Sequence, residues 1–242
     1  MEQKKYRLTA ETMRFDGVML HRIKALKDFG NVEAGELGGW VESEKNLSQE
    51  GNCWIAINAK AYANAYIYGN AILTWNAIAC ENTSIYGNAF ISDESVTRGF
   101  THLYGNVEVY GKSVIDGDAR LFGNVKVINA KVVDAEVYNN AIICDGAYVH
   151  GHIKIDGRAF ISEGAEVCKK DDYIVFKNFW SSGRHFTWTR SNNKWHVGCF
   201  CGTGEELIKK AYQDSEKSGR EYERVVRYVE SILADEQKEQ KK

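Results

Sequence analysis

The chain contains no proline, so its reversals must come from glycine, asparagine and aspartate. It has no apolar run of the roughly 18 residues that a membrane-spanning helix needs. Its start, Met1-Glu2-Gln3-Lys4-Lys5, leads into no long apolar segment. These absences argue against a membrane span and a secretory signal, and for a cytoplasmic protein. Neither sign of charge dominates: charged residues make up 26% and the formal net charge is −2, so bulk charge predicts no polyanion partner. The cysteines Cys53, Cys80, Cys144, Cys168, Cys199 and Cys201 are scattered in a way that reads as reduced thiols. Cys199-x-Cys201 is too tight and too isolated for a zinc site, which usually takes four ligands. The phosphate-loop, dinucleotide and nucleophile-elbow motifs are missing. No metal and no cofactor is expected.

What the chain does have is a repeat. Tyr68-Gly69-Asn70-Ala71, Tyr86-Gly87-Asn88-Ala89, Tyr104-Gly105-Asn106-Val107 and Phe122-Gly123-Asn124-Val125 follow one another at intervals of 18 residues. Glu50-Gly51-Asn52-Cys53 is a weaker copy upstream. Tyr138-Asn139-Asn140-Ala141 and Asp156-Gly157-Arg158-Ala159 continue downstream after one two-residue deletion between Val125 and Tyr138. Within each 18 lies a period of six, as in Ala65, Ala71 and Ala77, with an aliphatic residue two places later, as in Ile67 and Leu73. Residues two apart share a strand face, so each small–x–aliphatic triplet reads as a short strand with that face buried. Three triplets per repeat make a triangular coil, and stacking buries a continuous core. The expected fold is an all-β solenoid of six to seven coils with a small α+β C-terminal module. The organisation is residues 1–48 as a capping module, 49–168 as the β-helix and 169–242 as the C-terminal module.

With its hexapeptide period, the chain resembles the hexapeptide-repeat, left-handed parallel β-helix proteins, and the handedness is implied by that resemblance alone. The run Asn31-Val32-Glu33-Ala34-Gly35-Glu36-Leu37-Gly38-Gly39-Trp40-Val41, followed by Leu47 to Ile55, resembles the opening of bacterial YdcK-like members and related prophage proteins. Members of that group are often labelled acyltransferases. The resemblance implies a homo-oligomer, specifically a trimer with parallel axes. It also implies two rival functions, acyl transfer from acyl-coenzyme A and ligand sequestration of a prophage type. A third possibility is a purely structural assembly protein. Leu37-Gly38-Gly39-Trp40 reads as part of a cap, because an open solenoid end exposes strand edges and apolar interior.

After Lys169 the repeat stops. Tyr173 to Cys201 reads as strands, with Ser191-Asn192-Asn193 as a turn. Thr203-Gly204-Glu205-Glu206 and Ser218-Gly219-Arg220-Glu221 read as capping boxes of two helices. The first helix should bury Leu207, Ile208, Ala211 and Tyr212. The second should bury Tyr222, Val225, Val226, Val229, Ile232 and Leu233, and the charged tail Asp235 to Lys242 should fray.

A catalytic acyltransferase would need a general base. His150 and His152, flanking Gly151 and expected on one side of a corner, are the candidates. They have no carboxylate partner at a recognisable spacing and no extended loop nearby. The hairpin from Tyr173 to Cys201 has no Asp or Glu, and it is rich in aromatics. Arg184, Arg190, Lys194 and Trp195 are therefore the candidate ligand-binding residues, through forked donors for phosphate and a ring for stacking. The helix starts at Gly204 and Gly219 would add backbone donors. The reading this favours is a non-catalytic binding protein. Its expected partner is an anionic small molecule such as a nucleotide signal, or a host defence protein.

Overall fold

The computed structural model describes residues 4–239. Its body is a three-faced parallel β-solenoid, built from a ten-stranded, a seven-stranded and a six-stranded sheet. The seven-stranded face carries one strand from each coil. Phe90–Ile91 illustrates the register: it pairs in parallel with Ile72–Leu73 on one side and with Glu108–Val109 on the other. The small and aliphatic positions are buried throughout, including Ala65, Ile67, Ile85, Leu103, Val109, Leu121, Ile143 and Val167. Hydroxyl groups at inward positions are paired with one another or with backbone. Thr83 and Thr101 share a 2.9 Å hydrogen bond, and Ser95 Oγ donates to Ser92 O at 2.6 Å.

The Tyr-Gly-Asn-small motif is one corner seen end on. Tyr68, Tyr86, Tyr104, Phe122 and Tyr138 stack face to face at 4.7–5.1 Å. Tyr110 is not in this column; it tilts against Phe90 on the next face. The residue after each ring lies in the left-handed region, glycine after the first four and Asn139 after Tyr138, and the glycine column is tight. A Cβ on Gly87 would lie 2.8 Å from Gly105 N, so both conformation and space demand glycine. Next in the motif, the carboxamides of Asn70, Asn88, Asn106, Asn124 and Asn140 form a ladder, each Nδ2 donating to the following Oδ1 at 2.9–3.1 Å.

The single two-residue deletion resolves into two one-residue shortenings at different corners. Only Asn129-Ala130 links Lys126–Ile128 to Lys131–Val133, and only Asp134-Ala135 links that strand to Glu136–Asn139. Asn129 and Asp134 take the left-handed conformation there. Their Oδ1 atoms accept from Lys112 N and Asp118 N of the coil before, at 3.0 and 2.9 Å.

At the N-terminal end, Tyr6–Phe15 and Val18–Ala25 form a hairpin through Asp16-Gly17, whose positive φ values suit a tight two-residue turn. The strand Leu37–Val41 joins this hairpin to the solenoid: it is antiparallel to Val18–Ala25 and parallel to Lys60–Ala61. Gly38 and Gly39 sit where a Cβ would meet Ile55 O at 2.6 Å and Ala59 O at 2.4 Å. They pack the cap rather than hold a ligand. Lys5, fully buried, donates to Cys53 O at 2.9 Å and Glu50 O at 3.2 Å, closing the first coil.

At the other end, strands Tyr173–Lys177, His185–Thr189, Lys194–Val197 and Phe200–Gly202 form an antiparallel sheet. Alternation gives it two faces. Tyr173 and Val175 pack against the solenoid core, while Ile174, Phe176, Phe186, Trp188 and Trp195 pack against the helices. Helix α1 (Gly204–Asp214) starts at the Thr203/Glu206 capping box. Helix α2 (Glu216–Glu239) begins earlier than its sequence signal, because Ser215 Oγ accepts from Ser218 N at 3.1 Å; Ser218 and Gly219 lie inside the helix. Gly219 is needed there for contact, since a Cβ would run into the Tyr212 ring at 2.2 Å. Tyr212 itself is on the outside, donating to Glu223 at 2.7 Å. Asp235 to Glu239 continue the helix instead of fraying, and Glu236 is tied to the sheet by Arg190. The remaining tail residues, 240–242, lie outside the described residues.

Candidate anion-binding cleft

In this solenoid the outward residues of each coil donate N–H to carbonyls of the next: Tyr66 N to Thr83 O at 2.8 Å, Asn70 N to Gly87 O at 2.8 Å. The last coil has no next coil, so its upward groups need other partners. The C-terminal module supplies several of them. Thr187 Oγ1 accepts from Phe160 N at 2.9 Å, Ser191 Oγ from Glu166 N at 2.8 Å, and Asp172 Oδ2 from Cys168 N at 2.8 Å. Asn192 Nδ2 donates to Ser162 O and Glu163 O, and the Tyr173 hydroxyl donates to Lys154 O. His196 reaches Ser162 Oγ at 3.0 Å. Burial pushes the His196 imidazole below its ordinary range, so it is held neutral.

The capping is incomplete, and the Tyr-Gly-Asn corner is among the places it leaves open. Asn140 N donates to Gly157 O at 2.9 Å, but Arg158 N, next in that column, has no partner among the described residues. The carboxamide ladder ends at the same place: Asn140 Oδ1 accepts from Asn124, and its Nδ2 points on without an Asn above it. A cavity of about 570 Å³ opens there between the last coil and the sheet, lined by Asn140, Arg158, Lys170, Tyr173 and His185 among others. A second cavity, of about 220 Å³, is lined by Arg158, Phe160, Arg184, His185 and His196.

The junction carries more cations than carboxylates. Arg22, Arg98, Arg190, Arg224 and Arg227 are each held by a carboxylate. Among the described residues, Arg158, Lys170 and Arg184 have no such partner within ion-pair distance. The carboxylate that does line the cleft, Asp156, already accepts from Asn139 Nδ2 and Gly157 N. The Nδ1 atom of His185 is buried without a hydrogen-bond partner. Cations, an orphan backbone donor and a ladder end together favour an anion, since each forms charge-assisted or donor-rich contacts with oxyanions.

The ligand residues expected from sequence are dispersed. Arg184 is in the junction. Arg190 is clamped by Glu236, with contacts of 2.6 and 3.1 Å, and also donates to Asp171 O. Trp195 is buried against Trp188 and Phe176, where no ligand ring can stack. Lys194 pairs across the sheet with Thr189, away from Arg184. Neither helix start serves as an open donor set: Gly219 is interior, and at Gly204 the Glu206 carboxylate takes the Thr203 N–H. Arg158 and Lys170 were missed because they flank the boundary between repeat and module. Their signal is the seventh motif copy, where arginine replaces the ladder asparagine.

The histidine pair also separates. His150 stacks on Tyr148 at 4.3 Å and its Nε2 lies 2.9 Å from Glu166 Oε1, so it does have a carboxylate partner. His152 takes a left-handed conformation at the corner and lines a small cavity of about 200 Å³ with Asp118, Arg120 and Glu136. The two rings address different faces.

The architecture and its period of six are those of the hexapeptide-repeat β-solenoid proteins. Over 75 residues the chain is 47% identical to the uncharacterized acetyltransferase YdcK of Escherichia coli (strain K12). That match covers 27% of this chain and 23% of that protein, so the chain spans under a quarter of the relative's length there. No family model matches. No helix of the described residues is long and apolar enough to cross a membrane.

Proposed function

We propose that the chain is a non-catalytic binding protein that holds an anionic small molecule in the junction cleft. The observation that carries this reading is the convergence of Arg158, Lys170, the Asn140 carboxamide and the Arg158 N–H on one cavity. The C-terminal module caps part of the last coil and leaves the Tyr-Gly-Asn corner open. The prophage-type resemblance extends the reading to sequestering a nucleotide signal or blocking a host defence factor. Ile57 and Trp75, exposed on neighbouring coils at one corner, fit a contact between copies of a homotrimer. The test is thermal melting with a panel of phosphate-bearing and carboxylate-bearing small molecules. A ligand at about 100 times its Kd should add roughly 2.7 kcal/mol of stability. The double variant Arg158→Ala with Lys170→Ala should lose that gain while melting normally without ligand. A variant that keeps the full gain would remove the cleft from the account.

A second reading, acyl transfer from acyl-coenzyme A, is favoured by the 2.9 Å contact between His150 and Glu166 and by the name of the partial relative. A carboxylate on one imidazole nitrogen orients the other as a general base. This reading requires acetyl-coenzyme A to raise the melting temperature, with His150→Ala abolishing transfer but not folding. Coenzyme A itself carries a diphosphate, so the binding reading predicts no acyl transfer, and any shift with coenzyme A should be removed by Arg158→Ala with Lys170→Ala and kept by His150→Ala.

A further inference from the structure

We propose that the junction cleft is built for a ligand bearing two anionic groups on a short linker, not a single one; this rests on the anion-binding reading above. The two cavities there are not independent. They are adjacent compartments between the last coil and the sheet, with Arg158 and His185 lining both. Each compartment adds a cation of its own: Lys170 lines only the wider one, and Arg184 only the narrower. Arg158 is within reach of both. The narrower compartment contains no carboxylate among its lining residues, and in the wider one Asp156 is occupied by Asn139 and Gly157.

A monoanion would settle beside one cation and leave the cation of the other compartment uncompensated. A bridged pair of anionic groups satisfies both. Its second contact is intramolecular and so gains from effective concentration. His185 lines both compartments beside Arg158. The chemistry fits a diphosphate or a short dicarboxylate.

The test is calorimetric titration of the full chain at fixed ionic strength with inorganic phosphate, inorganic diphosphate and malonate. Diphosphate should bind more tightly than phosphate by about tenfold or more, which is about 1.4 kcal/mol. Greater charge alone would also favour diphosphate, so the variants decide. Arg184→Ala should remove the advantage of diphosphate while leaving phosphate affinity unchanged, and Lys170→Ala should weaken both. Both side chains are exposed, so neither change should disturb folding, which melting verifies. Malonate separates the sources: tighter binding than diphosphate would assign the site to dicarboxylates. If Arg184→Ala weakens phosphate and diphosphate equally, or neither, the two-group inference is overturned while single-anion binding stands. If none of the three probes binds, both readings fall.

Discussion

The solenoid body and the C-terminal module solve the same problem by different means. In the body, every coil finds its partners in the coil above and below, at a fixed interval of 18 residues over most of its length. Side chains repeat with it, so rings stack on rings and carboxamides bond to carboxamides. In the module no such regularity exists. It is attached through single side chains aimed at single backbone groups: Thr187 at Phe160, Ser191 at Glu166, Asp172 at Cys168. The periodic part is closed and self-satisfied, which leaves little for a ligand to do. The place where the period ends is where donors are left over, and that is where the proposed anion site lies.

The largest expected effect lies in the body. Ile85→Asp or Leu103→Asp puts a carboxylate between coils and should cost about 5 kcal/mol or abolish folding. Tyr86→Ser, one residue from Ile85 but on the outer ring column, should cost only about 1 kcal/mol. Urea unfolding measures both, and similar losses would contradict the inward and outward assignment. In the module, Thr187→Val should cost about 1–2 kcal/mol, because it strands the Phe160 N–H. Its loss should show first as altered fluorescence of Trp188 and Trp195, with the solenoid intact by circular dichroism.

Mild acid should act on the module through His196. The folded His196 resists protonation, whereas the unfolded chain takes up a proton near pH 6.5. Stability from this group is therefore complete above that value and is lost as the pH falls below it, at about 1.4 kcal/mol per unit at most. Unfolding measured either side of pH 6.5 should show this slope, and His196→Gln should flatten it. Smallest of all, Arg190→Ala with Lys194→Ala should change stability little, because the Glu236 pair lies at the surface, and leave anion affinity unchanged. A lost affinity would return these residues to the site.

How much of this was legible follows from the same contrast. The repeat betrays the body because neighbours in space are neighbours at a constant offset. Even the His150–Glu166 contact follows that rule: Tyr148 pairs with Glu166 across coils, and His150 is its diagonal neighbour. Reading along the strand instead of across the stack hides it. The two shortened corners at Asn129 and Asp134 look like one deletion because the strand between them is itself short. The Arg190–Glu236 pair had no sequence signal, since it depends on how α2 crosses the sheet. The same holds for the cleft: Arg158 belongs to the repeat, whereas Lys170 and Arg184 belong to the module, and only docking brings them together.

The central claim is that the unfinished Tyr-Gly-Asn corner is the binding site. Backbone amide mapping by NMR during titration with inorganic diphosphate tests it most directly. The amide of Arg158 and the side-chain amide of Asn140 should shift most, followed by Lys170 and His185, with the equivalent Asn88 and Asn106 in the body unmoved. Shifts centred on His150 and Glu166, or spread evenly along the solenoid, would contradict it.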